Sequence, residues 1–350
     1  MMKKMNIEEY NKFLIVQTAF LGDVAISLEL VGAIKHFHPN ANIDFITTPQ
    51  SAEIIELSNF VSDVYRFDKK NLQRSFFATK LYAKEINKKH YDCVISLHKS
   101  FRTSLLVSKL DAKIKIGFQD AAFSSLVYDY RVKSNFSLSE HFRVLIPLSV
   151  FGIEYLDYQI GNYSITFPSD VKSKIDKLLN DYNIDNTFMV VAPGSVWNTK
   201  KWGREKYSEL AKMLENDGLS VVLVGGKDDM ADCNYIENSA KVVNFAGKTT
   251  INELVYLISK ASFVISNDSA PVQFANIVKT PVIAIFGPTS PIFGFAPIGE
   301  NDFVIENSTL KCRPCQIHGS RKCPLNTMEC MNAVKTEDVY QIAISKLNNL

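Results

Sequence analysis

Apolar and polar positions along the chain alternate between two periods. Short apolar runs at Lys12–Gln17, Ile43–Thr47, Val64–Phe67, Cys93–Leu97 and Ile114–Phe118 read as buried strands. Between them, apolar residues recur at helical spacing over Val24–Phe37, Gln50–Leu57, Leu72–Asn87 and Thr103–Lys109. A further helical pattern covers His141–Phe151, after which Gly152–Pro168 loses its period. The second half repeats the scheme. Strand patterns at Phe188–Ala192, Ser220–Val224, Val242–Phe245, Phe263–Ser266 and Pro281–Phe286 are interleaved with helical ones at Arg204–Asn216, Ile251–Lys260 and after Asn267, and an amphipathic segment at Glu337–Leu347 closes the chain. Strands alternating with helices predict parallel sheets covered on both faces. The chain is therefore expected to be α/β, with Rossmann-like domains at 1–160 and 171–335, a linker at 161–170 and a terminal helix over 336–350.

Composition narrows the class. The 350 residues are 46% hydrophobic and 22% charged, as in a soluble globular protein long enough for two cores. No apolar run approaches the ~18 residues of a membrane span, and MMKKMNIEEYNK lacks the apolar centre of a secretory signal, so a cytoplasmic protein is expected. The formal charge of +2 hides an asymmetry: between Arg66 and Lys115 there are thirteen Lys or Arg against four acids. Solvated helix faces account for most of these cations, and a surface for a phosphorylated or membrane-bound anionic partner is the sharper alternative. No nucleic-acid partner is expected, because stacking aromatics are not interleaved with the basic residues in a recognisable module.

Candidate chemistry collects at the predicted strand ends. After the strand at Phe263–Ser266, any of Asn267, Asp268 and Ser269 can cap the next helix, whose first-turn N–H groups and dipole suit an anion. Gly287-Pro288-Thr289-Ser290-Pro291 leaves the following strand as a tight turn with two hydroxyls and little bulk, as a diphosphate needs. In the first half, Thr18–Asp23 reads as a glycine turn that places Asp23 at a strand's carboxyl end; a single glycine there excludes the G-x-G-x-x-G dinucleotide fingerprint. Lys99, Ser100 and Arg102 follow another strand and could hold a phosphate or carboxylate, with a plain helix cap the alternative for Ser100. Gly247-Lys248-Thr249-Thr250 imitates a P-loop tail, but Val242 stands where the motif needs glycine. Cys312, Cys315, Cys323 and Cys330 are spaced C-x2-C-x7-C-x6-C with His318 between. Reduced, loop-packing thiols are expected, with structural zinc the alternative.

Taken in order, Gly22-Asp23, Pro193-Gly194-Ser195 through Lys200-Lys201-Trp202, Gly225-Gly226 with its acids, Gly247-Lys248-Thr249, Asn267-Asp268-Ser269, Gly287–Pro291 and the Cys312–Cys330 loop resemble glycosyltransferase family 9, the ADP-heptose:lipopolysaccharide heptosyltransferases, most of all their heptosyltransferase II branch. The resemblance implies a GT-B fold, with two Rossmann-like domains facing a central cleft and the terminal helix crossing back onto the first. It implies inverting, metal-independent transfer of heptose from ADP-heptose to a lipid A–Kdo–heptose core, without a cofactor, by an enzyme peripheral on the inner face of the inner membrane. Asp23 would be the general base beside Gly22. Lys200 and Ser195 would contact the diphosphate together with Asp268, Ser269, Ala270, Gly287 and Thr289, and Asp228 or Asp229 would lie near the nucleoside. Gly22, Lys99, Ser100 and Arg102 are the acceptor-side candidates. The chain departs from the family at Ala270, where glycine is usual, and at Gln273, where histidine is usual. These departures keep open another donor or acceptor; a GT-B-like nucleotide-sugar epimerase and a zinc-dependent interaction protein are the other readings.

Overall fold

The computed structural model of the chain describes residues 5–184 and 187–347, so 348–350 of the predicted terminal segment lie outside the described residues, as do 1–4 and 185–186. Two compact units form, Met1–Thr166 and Phe167–Leu350. In the first, strands β1 (Lys12–Val16), β2 (Asn42–Thr47), β3 (Val64–Arg66), β4 (Tyr91–Ser96), β5 (Ala112–Phe118) and β6 (Tyr130–Val132) make one sheet in the order β3-β2-β1-β4-β5-β6. In the second, β7 (Phe188–Ala192), β8 (Ser220–Leu223), β9 (Val243–Asn244), β10 (Phe263–Asn267), β11 (Val282–Phe286) and β12 (Phe303–Glu306) take the order β12-β11-β10-β7-β8-β9. Every neighbouring pair is parallel. Read from its own first strand, each sheet has the same doubly wound order, which reverses between β1 and β4 and between β7 and β10.

Helices α1 (Leu21–Ile26), α2 (Leu28–Phe37), α3 (Ala52–Glu56), α4 (Phe76–Asn87), α5 (Phe101–Val107), α6 (Ser124–Val127) and α7 (Glu140–Arg143) belong to the first unit. The second unit holds α8 (Ser169–Asp181), α9 (Arg204–Asn216), α10 (Met230–Glu237), α11 (Ile251–Lys260), α12 (Ala270–Val278), α13 (Glu329–Asn332) and α14 (Thr336–Leu347). Central strands β7, β10 and β11 are buried at every residue, which is why they read as continuous apolar runs, whereas β3 and β12 at the sheet margins are half exposed.

Several expectations are corrected. The helix expected over Val24–Phe37 starts earlier and is broken: Phe20 precedes it in extended conformation, Gly22 and Asp23 fall in its first turn, and Ser27 interrupts it by donating its hydroxyl to the Val24 carbonyl at 2.5 Å. Gly22 is thus helical and makes no glycine turn. Pro147 divides His141–Phe151 into α7 and a 3-10 segment, Ile146–Phe151. The expected linker is not free chain. Ile165 bridges Ser58, the Thr166 N–H donates to the Leu57 carbonyl at 2.8 Å, and the Gly161 N–H donates to the buried Glu29 carboxylate at 2.8 Å, so 161–166 is fastened to the first unit. From Ser169 the chain is α8, whose Val171, Ile175 and Leu179 are buried at helical spacing. The terminal helix, expected on the first domain, belongs to the second unit, where Val339 and Ala343 are buried in one cluster with Leu210 and Leu214 of α9. Burial of apolar side chains there, worth about 2 kcal/mol each, fixes it.

Candidate active site

Ligands of doubly wound sheets bind beyond the strand ends where the order reverses. In the second unit that place lies after β7 and β10. Asn267, the last residue of β10 and fully buried, ties the two together: its amide donates to the carbonyls of Pro193 at 2.7 Å and Gly194 at 3.2 Å. Its oxygen accepts from the Trp202 N–H and the Tyr207 hydroxyl, both at 3.1 Å. Expected as one of three possible caps, Asn267 is instead a clamp, and Ser269 holds the N-cap position of α12 without a side-chain cap bond. Next to it the Lys200 ammonium meets the Asp268 carboxylate at 2.7 Å, and the Thr289 hydroxyl donates to the same carboxylate oxygen at 2.6 Å. One buried acid therefore joins the loop after β7, the start of α12 and the turn after β11. Lys200 spends one ammonium proton on Asp268 and retains two for an anion.

The glycines here are filled sockets. A Cβ on Gly287 would lie 2.7 Å from Met331, and one on Gly194 would lie 2.3 Å from the Asp229 carboxyl group. Gly287 was expected to let a phosphate approach, but its missing side chain makes room for Met331. Asp229 also accepts from the Gly226 N–H at 2.9 Å, whereas Asp228 is exposed, which separates the two candidate acids. Ser195 accepts from the Trp197 N–H at 3.3 Å and remains partly open, as does Ala270 in the first turn of α12.

The loop containing the four cysteines braces this site. Thr199 and Ser320 exchange backbone and hydroxyl hydrogen bonds at 2.8–3.1 Å, and the Cys315 N–H donates to the Pro288 carbonyl at 2.8 Å. Arg313, nearly buried, donates to the carbonyls of Gly287, Asn307 and Thr289 and pairs with Glu306 at 2.7 Å. The thiols are free: Cys330 is buried in the core cluster, burial raises the pKa of Cys315, and backbone N–H groups, that of Met328 foremost, lower that of Cys323. Among the described residues, no three His, Cys, Asp or Glu side chains are grouped to hold a metal ion. The role of Arg313 as the fastening of the Gly287–Thr289 turn was not read from the sequence.

In the first unit the reversal lies after β1 and β4, where hydroxyls gather on one imidazole and the Lys69 ammonium donates to the Thr18 carbonyl at 2.6 Å. The Thr18 hydroxyl is 2.9 Å from His98 Nδ1 and 2.8 Å from the Thr103 hydroxyl; Nδ1 is also 2.8 Å from that hydroxyl, and Ser100 joins at 3.0 Å. Burial first, and the Lys69 charge second, push His98 down to about 4, so the ring is neutral at pH 7. Asp23 stands beyond β1, in the first turn of α1, partly exposed. Ser100 is the cap of α5. Lys99 does not present an open ammonium: it donates to Asp120 at 2.9 Å and Ser134 at 2.6 Å, with the Phe118 and Phe136 rings about it. Arg102 is exposed and donates to the Lys69 carbonyl. Thr18, His98 and Thr103 were missed because each is unremarkable alone and their meeting needs the β1–β4 pairing.

The family model for glycosyltransferase family 9 (heptosyltransferase) matches residues 80–326, well over half of the chain. The chain belongs to this family. It is a glycosyltransferase. It is 26% identical to lipopolysaccharide heptosyltransferase 3 of Escherichia coli over 78% of this chain and 83% of that protein. It is 25% identical to lipopolysaccharide heptosyltransferase 2 of Salmonella typhimurium over 81% and 84%. A family 9 glycosyltransferase from Veillonella parvula superposes with a TM-score of 0.88 at 19% identity, covering 99% of both chains, and E. coli heptosyltransferase WaaC, solved with ADP, with 0.75 at 18% over 96% and 99%. The two doubly wound sheets are those of the family's GT-B fold. Gln273 is buried, donates to the Phe295 carbonyl at 2.8 Å and accepts from Asn276 at 2.9 Å, so its amide carries a hydrogen-bonding role.

Proposed function

We propose that this enzyme transfers heptose from ADP-heptose to the inner core of lipopolysaccharide, with inversion, and that it needs no metal ion. The Lys200–Asp268–Thr289 arrangement carries the reading, because it fixes an ammonium with protons to spare, the donor a departing diphosphate needs, at the place where the sheet order reverses. Asp268 holds the ammonium in position before the donor arrives, so no reorganisation is required as charge develops on the leaving group. The N–H groups at the start of α12, with the helix dipole behind them, add to that stabilisation; Pro271 lacks an N–H, which leaves this duty to its neighbours Ser269 and Ala270. Ser195 supplies a hydroxyl near the same anion, Thr289 acts by holding the Asp268 carboxylate to which its one hydroxyl proton goes, and Asp228 serves the nucleoside. Asp23 takes the proton of the attacking acceptor hydroxyl. The lipopolysaccharide heptosyltransferases among the relatives support the sugar and the acceptor, and the WaaC structure with ADP supports the nucleotide. With a lipid-anchored acceptor as the proposed substrate, the enzyme is proposed to work as a peripheral protein on the cytoplasmic face of the inner membrane.

Transfer from ADP-heptose to a core oligosaccharide bearing one heptose, read by mass, tests the reading, with a Kdo-only core and GDP- and UDP-sugars as controls. A heptose-sized gain on the one-heptose acceptor is expected. Asp23→Asn should lower the rate about 10³-fold while ADP affinity stays within about twofold. No gain on any acceptor, with ADP still bound, would overturn the donor and acceptor; equal loss of ADP binding in Asp23→Asn would make Asp23 a structural residue.

A further inference from the structure

Helix α4 turns Thr79, Ala83 and Ile86 inward, one stripe at helical spacing. The opposite face should be polar. It carries instead Phe77, 67% exposed, and Leu81, 49% exposed, in line with Lys84 and Lys88, while Lys80 borders the stripe. Beside it, Phe76 lies under the Lys109 ammonium at 5.0 Å from the ring centroid, and Phe101 at the start of α5 packs edge-on against Phe123, both rings more than half exposed. Between α4 and α5 an open cavity of about 400 Å³ has an apolar floor of Phe67 and Leu105 and is flanked by Arg74 and Arg102. The acids nearby are engaged: Glu85 pairs with Lys88, and Asp68 accepts from Asn71 and from the Lys70 N–H.

Large apolar side chains projecting from a cationic surface match one environment, where hydrocarbon lies a few ångströms beneath a layer of negative charge. We infer that the outward face of α4, with the start of α5, is a wedge that enters the headgroup layer of an anionic bilayer, Phe77 and Leu81 reaching the acyl boundary while Lys80 and Lys84 stay among the phosphates. Snorkelling lysines suit this depth. A second copy of the chain is a poor occupant, since it would set this lysine row against its own image. The inference deepens the peripheral placement in the proposed function by naming the surface that meets the lipid.

Flotation of the full chain with vesicles of phosphatidylcholine alone or mixed with phosphatidylglycerol tests it. Binding is expected only to the anionic vesicles and should weaken as salt rises. Phe77→Ser with Leu81→Ser should cut partition at least about tenfold, and Lys80→Glu with Lys84→Glu should remove the anionic preference. A wild-type circular dichroism spectrum and unfolding midpoint report that each variant, altered in the first unit, is folded. A tryptophan placed by Phe77→Trp should be quenched by brominated acyl chains. Wild-type partition in the Phe77/Leu81 double variant, equal binding to neutral vesicles, or a concentration-dependent dimer lost in that variant would each overturn the wedge. Transfer to the soluble core oligosaccharide involves no vesicle, so its outcome separates failure of the catalytic reading from failure of this one.

Discussion

At the reversal of the first sheet, three hydroxyls surround a neutral imidazole, whereas at the reversal of the second a carboxylate, an ammonium and a hydroxyl lock three loops together. The strand order is the same in both. Topology therefore chooses the place and the side chains choose the chemistry: hydroxyls about a neutral imidazole in one unit, and in the other an ammonium held by a carboxylate, which in the proposed function meets the diphosphate. The difference also concerns stability, because a charged lock that is nearly buried depends on all of its members, whereas a hydroxyl cluster loses little with one of them.

Variants sharpen that contrast. Asp268→Ala leaves the Lys200 ammonium buried without its partner, and unfolding by denaturant should show the second unit destabilised by about 3 kcal/mol, with ADP affinity reduced. An unchanged midpoint would mean that water replaces the acid and that the lock is no lock. Asn267→Ala removes the clamp on Pro193 and Gly194; a loss of about 2 kcal/mol is expected from the hydrogen bonds left unmade, again with weaker ADP binding by calorimetry. On the neutral side, Thr103→Val should cost only about 1 kcal/mol and leave ADP affinity alone, so a large drop in ADP binding would erase the division of labour. A further effect is read in acid. His98 resists protonation down to about 4 in the fold against an ordinary 6.5, so the unfolded chain takes up the proton first. Stability present above pH 6.5 is then lost as pH falls toward about 4, and His98→Gln should flatten that part of the profile. An unaltered acid profile would show that the ring is not buried neutral.

The central strands were legible because both faces of a doubly covered sheet demand unbroken apolar runs. The marginal strands β6 and β12 were not, since half-exposed residues leave no such run. Helix α8 was missed although Val171, Ile175 and Leu179 keep the period, because the stretch is otherwise charged and polar. In the site, motif residues Lys200, Asp268 and Thr289 were each named, yet nothing in their spacing says that they meet on one carboxylate oxygen. The partners of Lys99 were hidden for a related reason: Asp120 and Ser134 come from chain well beyond it. Gly287 was read as open space because a sequence shows the missing side chain but not the methionine that occupies the gap.

That methionine sets a limit on modularity. Gly194 and Gly287 each receive a side chain from elsewhere in the chain, Asp229 in one case and Met331 in the other. A nucleotide loop exchanged between relatives would carry its socket without the plug, so descent or design that alters donor choice must move loop and plug as a linked pair.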